Sequence, residues 1–209
     1  MENRKGTSIA SGTRRVNKLR EEIRACRICE ARLPLEPRPV LQVSATSRLL
    51  IVSQAPGRKA HDSGIPFNDV SGERLREWLG IDKPTFYDAA RVAIVPMGFC
   101  FPGSGRGGDL PPRPECAPTW HPRLLPLLTQ LRLTLVIGQF AQNGLLEISR
   151  GTRLTDTVRD WRAHLAHGML PLPHPSPRNR PWVMHNAWFE SDLLPVLRER
   201  VAAALQGTN

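Results

Sequence analysis

The sequence predicts an α/β fold of three layers, α/β/α, around a central, mostly parallel sheet of four strands. Three observations predict it. Short apolar runs without polar alternation recur along the chain, as in strands buried on both faces. Stretches with helical spacing separate them, which argues for a parallel sheet covered on both sides. Of the 209 residues 40% are hydrophobic, so the chain is globular and long enough for a sizeable core.

The elements follow in order. Residues 1–12 are polar and small and are expected to form a disordered basic tail, with 13–209 as one domain. From Arg14 to Cys29, Val16, Leu19, Ile23 and Ile28 recur among charges, which predicts a helix. Residues 33–47 hold Pro34, Pro37 and Pro39 and predict an extended connection. Leu49–Val52 is a buried strand. Ser71 to Leu79 is a helix with Ser71 as its N-cap. Arg91 to Val95 is a second strand. Residues 101–114, with four glycines and four prolines, are a loop. Pro122 to Leu131 predicts a helix and Leu133 to Ile137 a third strand, which Gly138 turns into a helix reaching Ile148. Thr155 to Leu165 is a further helix. Met169 to Leu172 is the fourth strand, followed by a proline-rich loop. Trp188 to Leu205 is an amphipathic helix, kinked or restarted at Pro195. In such sheets ligands bind beyond the carboxyl ends of the strands. The loops Ser53–Asp69, Pro96–Arg113 and His174–Asn179 should therefore meet.

The charge points to a partner. Lys and Arg number 29 against 19 Asp and Glu, a net charge of +10. Such a surface attracts phosphate and suits a nucleic acid, although a generally basic protein carries the same balance. No apolar run is long enough to cross a membrane, and the N-terminus lacks the apolar region of a secretory signal. A cytoplasmic monomer with reduced thiols is expected. The four cysteines are Cys26, Cys29, Cys100 and Cys116. A C-x2-C clip completed by a distant pair suggests an iron–sulfur or zinc site rather than disulfides, with free buried thiols as the alternative.

Two loops carry the remaining signals. Ser53-Gln54-Ala55-Pro56-Gly57 follows a strand, so Gln54 and nearby backbone amides can face a ligand, and Gly64-Ile65-Pro66-Phe67 sets an aromatic near the same mouth. His174-Pro175-Ser176-Pro177 is stiffened by two prolines. Each alone reads as an ordinary turn. Together, in this order and spacing, they resemble the uracil-DNA glycosylase superfamily. The first segment is similar to its first motif, G-E-A-P-G in the iron–sulfur branch called family 4 and G-Q-D-P-Y in family 1. The G-x-P-F, the Ser71-Gly72 pair and the H-P-S-P motif fall at the family 4 positions, and Val136 to Ala141 resembles the family's strand-to-helix turn. The resemblance covers about Cys26 to Leu197.

This resemblance implies a DNA glycosylase that flips uracil or a related deaminated base out of DNA and hydrolyses its bond to the sugar, with the four cysteines holding a 4Fe-4S cluster. It implies His174 as the donor to the charge growing on uracil O2 and Phe67 as the stacking face. Ala55, Pro56, Gly57, Asn68 and Ser176 would line the substrate site. Two departures stand out. Gln54 occupies the position of the family 4 glutamate and cannot act as a carboxylate; it would position water or contact the base. The family's base-reading asparagine is Pro96 here. Asp69 is the nearest candidate catalytic carboxylate, with helix capping as its alternative role. Arg106, Arg113 and Arg178 are expected to meet DNA phosphates. A non-catalytic, metal-containing nucleic-acid-binding protein with the same fold is the second reading.

Overall fold

The computed structural model describes residues 3–149 and 151–206, with side chains from residue 10 onward. Helix α1 (Asn3–Arg24) presses Val16, Leu19 and Ile23 into the core. It starts well before Arg14, so residues 3–12 are helical where a tail was expected; residues 1 and 2 lie outside the described residues. Once an anchored stripe has nucleated a helix, each added residue gains a hydrogen bond, and a polar run extends it. The helix ends before the cysteine clip, because Cys26 and not Ile28 continues the stripe; Ile28 is 55% exposed. Strand β1 (Leu49–Val52) is buried throughout.

Helix α2 (Arg58–Ser63) was not anticipated; Gly64, at φ 72°, ends it. Helix α3 (Val70–Leu79) is capped by Asp69 instead of Ser71, whose neighbour Gly72 donates its N–H to Asp69 Oδ1 at 2.9 Å. Helix α4 (Lys83–Tyr87) precedes strand β2 (Val92–Ile94). The glycine-rich loop contains a small antiparallel hairpin, β3 (Ser104–Gly105) and β4 (Gly108–Asp109). Helix α5 (Cys116–Leu124) begins six residues before the expected Pro122 and runs into a 3-10 turn, Leu125–Leu127. Strand β5 (Leu133–Ile137) leads through Gly138, at φ 81°, into α6 (Gly138–Leu145), shorter than expected.

The single helix expected over Thr155–Leu165 is two, α7 (Leu154–Arg159) and α8 (Trp161–Ala166). The break at Asp160 lets both Val158 and Trp161 reach the core. Strand β6 (Met169–Leu172) is followed by α9 (Arg180–His185), a π-turn at Phe189–Leu193 and α10 (Leu194–Leu205). Pro195 sits in the first turn of α10, where its missing N–H costs no bond, so the restart expected there is realised.

The four long strands form one parallel sheet in the order β2-β1-β5-β6. Alternate residues face opposite ways. Leu49, Ile51, Ile94 and Leu135 pack on α3 and α10, while Leu50, Val52, Ala93 and Val136 pack on α1, α5 and α6. These two cores make the three layers. The segment 33–47 covers the β2 edge: Gln42 exchanges two backbone hydrogen bonds with Ile94, at 3.0 and 2.7 Å. Two arginines that stand directly before strands reach across to the end of α10, Arg48 to the Leu205 carbonyl and Arg132 to that of Gln206. Among the described residues no helix is long and apolar enough to cross a membrane.

Candidate active site and cysteine cavity

The three loops meet at the carboxyl end of the sheet, as expected. They enclose a cavity of about 120 Å³ with Ala55, Pro56, Gly57, Phe67, Asp69, His174 and Ser176 in its wall and Val40, Ala60 and Ile94 among its apolar lining. A cavity of about 150 Å³ admits benzene. This one therefore suits a single flat ring.

His174 is half-buried and its orientation is set by its own loop. The Ser176 N–H donates to its Nδ1 at 3.2 Å, and Asn179 Nδ2 donates to the His174 carbonyl at 2.8 Å. With Nδ1 accepting, the neutral imidazole carries its proton on Nε2. Burial pushes the His174 pKa below its ordinary 6.5; the carboxylates of Asp69 and Asp109 oppose this more weakly. The ring is thus a neutral donor.

Phe67 faces it, with ring centroids 6.5 Å apart and planes 29° from parallel. Phe67 has φ 55°, a left-handed conformation that costs a bulky residue roughly 1–2 kcal/mol. Three contacts hold it there. Its ring meets Phe86 edge-on at 6.2 Å, and Tyr87 Oη donates to its carbonyl at 3.2 Å. The third is close backbone approach: a Cβ on Gly72 would lie 1.8 Å from the Phe67 carbonyl oxygen.

Asp69 takes the capping role weighed for it and also stands in the cavity wall. Its Oδ1 caps α3, while Oδ2 lies 3.9 Å from where a Cβ on Gly57 would be. The oxygen nearest that point, at 3.2 Å, is Oδ2 of Asp109, which also lines the cavity. Asp109 was not anticipated. Its sequence signal is that it is the only acid in the glycine-rich stretch 101–114.

Other expected site residues lie elsewhere. Gln54 is not in the cavity wall; its Nε2 donates to the Leu110 carbonyl at 3.0 Å. Asn68 lines a neighbouring groove with Arg20, Arg24 and Lys83, beyond Pro66. Pro96 lines the cavity but brings no donor, and its carbonyl accepts from His121 Nε2 at 3.0 Å. Arg106 is exposed at the tip of the β3–β4 hairpin, and Arg178 Nη1 donates to the Gly107 carbonyl there at 3.0 Å. Arg113 pairs with Glu115 at 3.2 Å and turns to the cysteines instead of the mouth of the cavity.

Cys26, Cys29, Cys100 and Cys116 surround one narrow cavity of about 10 Å³, together with Phe99, Arg113 and Trp120. All four are free thiols. Burial pushes Cys100 and Cys116 up to about 12, and the neighbouring cysteines add to this. Among the described residues no three His, Cys, Asp or Glu side chains close tightly enough to hold a single metal ion as they stand. One short span joins the two sites. From Pro96 in the active-site wall, Met97 N donates to the Ser53 carbonyl at 2.8 Å and Gly98 N to that of Gln54 at 3.0 Å. Phe99 N then donates to Cys116 Sγ at 3.3 Å.

Comparison with protein families agrees with this layout. The family model for the uracil DNA glycosylase superfamily matches residues 41–198, which include every strand, the whole cavity wall except Val40, and two of the four cysteines. The chain belongs to that superfamily.

Proposed function

We propose that the protein is a monofunctional DNA glycosylase of the iron–sulfur branch, excising uracil or a related deaminated base from DNA. The observation that carries this reading is the neutral His174, with its Nε2 proton free, in a one-ring cavity opposite Phe67. A flipped base costs a few kcal/mol in lost stacking. Stacking on Phe67 offsets part of that. As the C1′–N1 bond breaks, negative charge grows on the base and positive charge on the sugar. A preorganised donor at uracil O2 is worth about a hundredfold or more in rate, and a neutral imidazole gives its hydrogen bond without transferring the proton. None of the residues lining the cavity is a lysine, so water is the nucleophile.

Selectivity would differ from that of relatives with the base-reading asparagine. Pro96 leaves backbone groups and Ser176 to meet the base edge, which supports acceptance of more than one deaminated base. Cys26, Cys29, Cys100 and Cys116 would hold the 4Fe-4S cluster, with zinc as the alternative. Four half-buried thiols around one cavity, two of them strongly disfavouring a bare thiolate, fit such a group. It would supply a structural cross-link between the turn after α1, the β2 loop and α5. The partner is DNA, met by the basic surface, and the protein would act as a cytoplasmic monomer.

The turned-away Gln54 and donorless Pro96 favour the second reading, a non-catalytic nucleic-acid-binding protein. One assay separates the two. Purified protein is incubated with single- and double-stranded oligonucleotides carrying uracil, hypoxanthine or xanthine, followed by alkali. Abasic product is expected, and His174→Ala should lower the single-turnover rate about a hundredfold while DNA affinity changes little. No product from any substrate would leave only the binding protein.

A further inference from the structure

We propose that Asp109, carried by the β3–β4 hairpin, is the carboxylate that faces the cationic sugar in this cavity, and that Gln54 is the positioning residue that holds it there. This rests on the glycosylase reading. The first loop offers no acid at residues 54 and 55. The hairpin brings one from the other side.

Asp109 is held for such a role. Ser104 Oγ donates to Oδ1 at 2.9 Å, which leaves Oδ2 free. That free oxygen faces Gly57, where any side chain would crowd it. Three hydrogen bonds fix the hairpin: Gln54 Nε2 to the Leu110 carbonyl at 3.0 Å, Leu110 N to the Gly103 carbonyl at 2.8 Å, and Arg178 Nη1 to the Gly107 carbonyl at 3.0 Å. Gly108, at φ 125°, lets Arg178 in; a Cβ there would stand 1.9 Å from Arg178 Nη1. The first and third loops therefore clamp the hairpin from both sides. The amide at Gln54 has a reason as well. Its partner is a carbonyl oxygen, which an amide N–H satisfies and a carboxylate would repel. Asp109 is also near enough to act on the His174 ring electrostatically.

In the reaction, the C1′–N1 bond breaks with both electrons passing to the base, and the sugar becomes an oxocarbenium ion. Asp109 Oδ2 stabilises that cation. A water oxygen then bonds to C1′, and one of its protons passes to Oδ2 and on to solvent. The departing base anion takes a proton from solvent, so base and abasic DNA leave neutral at the cleaved bond.

The test is a binding ratio that needs no turnover. Oligonucleotides carry either a cationic pyrrolidine or a neutral tetrahydrofuran at the abasic position. The native protein should prefer the cation, and Asp109→Asn should reduce that preference by about tenfold or more, the usual effect of an opposite charge at close range. Ser104→Ala, which loosens the carboxylate without removing it, should reduce it less. Gln54→Glu, although it restores the family's residue, should lower the preference and the excision rate. An unchanged ratio in Asp109→Asn, no preference in the native protein, or faster excision by Gln54→Glu would overturn the proposal. Uracil excision with an unchanged ratio rejects Asp109 and keeps the glycosylase. A ratio that falls in a protein excising nothing does the opposite.

Discussion

Replacing Gly72 by alanine adds one methyl group, and the structure sets a definite sign for its effect. In an ordinary helix the change gains about 1 kcal/mol from backbone entropy. Here the added Cβ would stand 1.8 Å from the carbonyl oxygen of Phe67, 2.7 Å from its carbonyl carbon and 2.8 Å from its Cβ. These are mostly backbone atoms, so no flexible side-chain tip can yield. Phe67 already carries the cost of φ 55°. Relief requires moving the Phe67–Asp69 segment away from α3, which also breaks the bond from Gly72 N to Asp69 Oδ1. Overpacking costs about 1–3 kcal/mol, and a contact this short against backbone stands at the upper end, about 2–3, so the net loss after the propensity gain is about 1–2 kcal/mol. For a chain of this size that lowers Tm by roughly 2–8 °C. Because Phe67 and Asp69 both line the cavity, excision should fall by about tenfold or more. Gly12→Ala is the matched control. Its nearest neighbour, Ala45 Cβ, is at 3.8 Å, an ordinary contact, so the same methyl should raise Tm by a few degrees, on the order of the helix-propensity gain. Thermal unfolding and single-turnover excision of both variants decide the matter. A Gly72→Ala protein that melts at or above the native temperature and excises at the native rate refutes the reasoning.

Further outcomes follow from the site. Asp69→Asn should keep the α3 cap and so the native Tm, since Asn caps as well as Asp, whereas Asp69→Ala should lose about 1 kcal/mol in urea unfolding; both should slow excision. Stability should fall as pH drops below about 6.5. Burial lowers His61, His121 and His174 in the folded state, so the unfolded chain binds more protons there, and stabilisation present above 6.5 is lost towards each folded value. The depressed acids Asp82 and Glu115 add their loss only below about 4.5, so melting followed from pH 8 to 3 should show the histidine phase first. Cys100→Ser should abolish the visible iron–sulfur absorbance and lower the iron content from about four per chain; a colourless native protein with one zinc per chain would assign the site to zinc.

The strands were legible because each is an apolar run buried on both faces, and part of the cavity wall because Ala55, Pro56, Gly57, Phe67, His174 and Ser176 sit in short motifs. What escaped has physical causes. Helices α2, α4 and α9 are too short to show a period, and glycine or proline bounds them. Ser71 and Asp69 are both good caps two residues apart; Gly72, whose N–H comes within reach of Asp69 Oδ1, decides between them. Gln54 sits in a first-loop motif position, yet its direction depends on a hairpin built 50 residues later, which no local pattern announces. Asp109 was missed for the same reason. The motif residues say which loops form the site, and tertiary contacts decide which side chains enter it.

The span from Pro96 to Phe99 is both a wall of the base cavity and a strap on Cys116. Damage at the thiols therefore travels. If oxidation or loss of bound metal frees Cys116, the amides of Met97 and Gly98 lose a fixed neighbour and the cavity loses its shape before the fold is lost. With the proposed cluster held there, a preparation bleached in air would look like a poor catalyst while its far-ultraviolet spectrum stayed native. Activity measured without a matching metal content would then describe the handling of the sample as much as the chemistry of the enzyme.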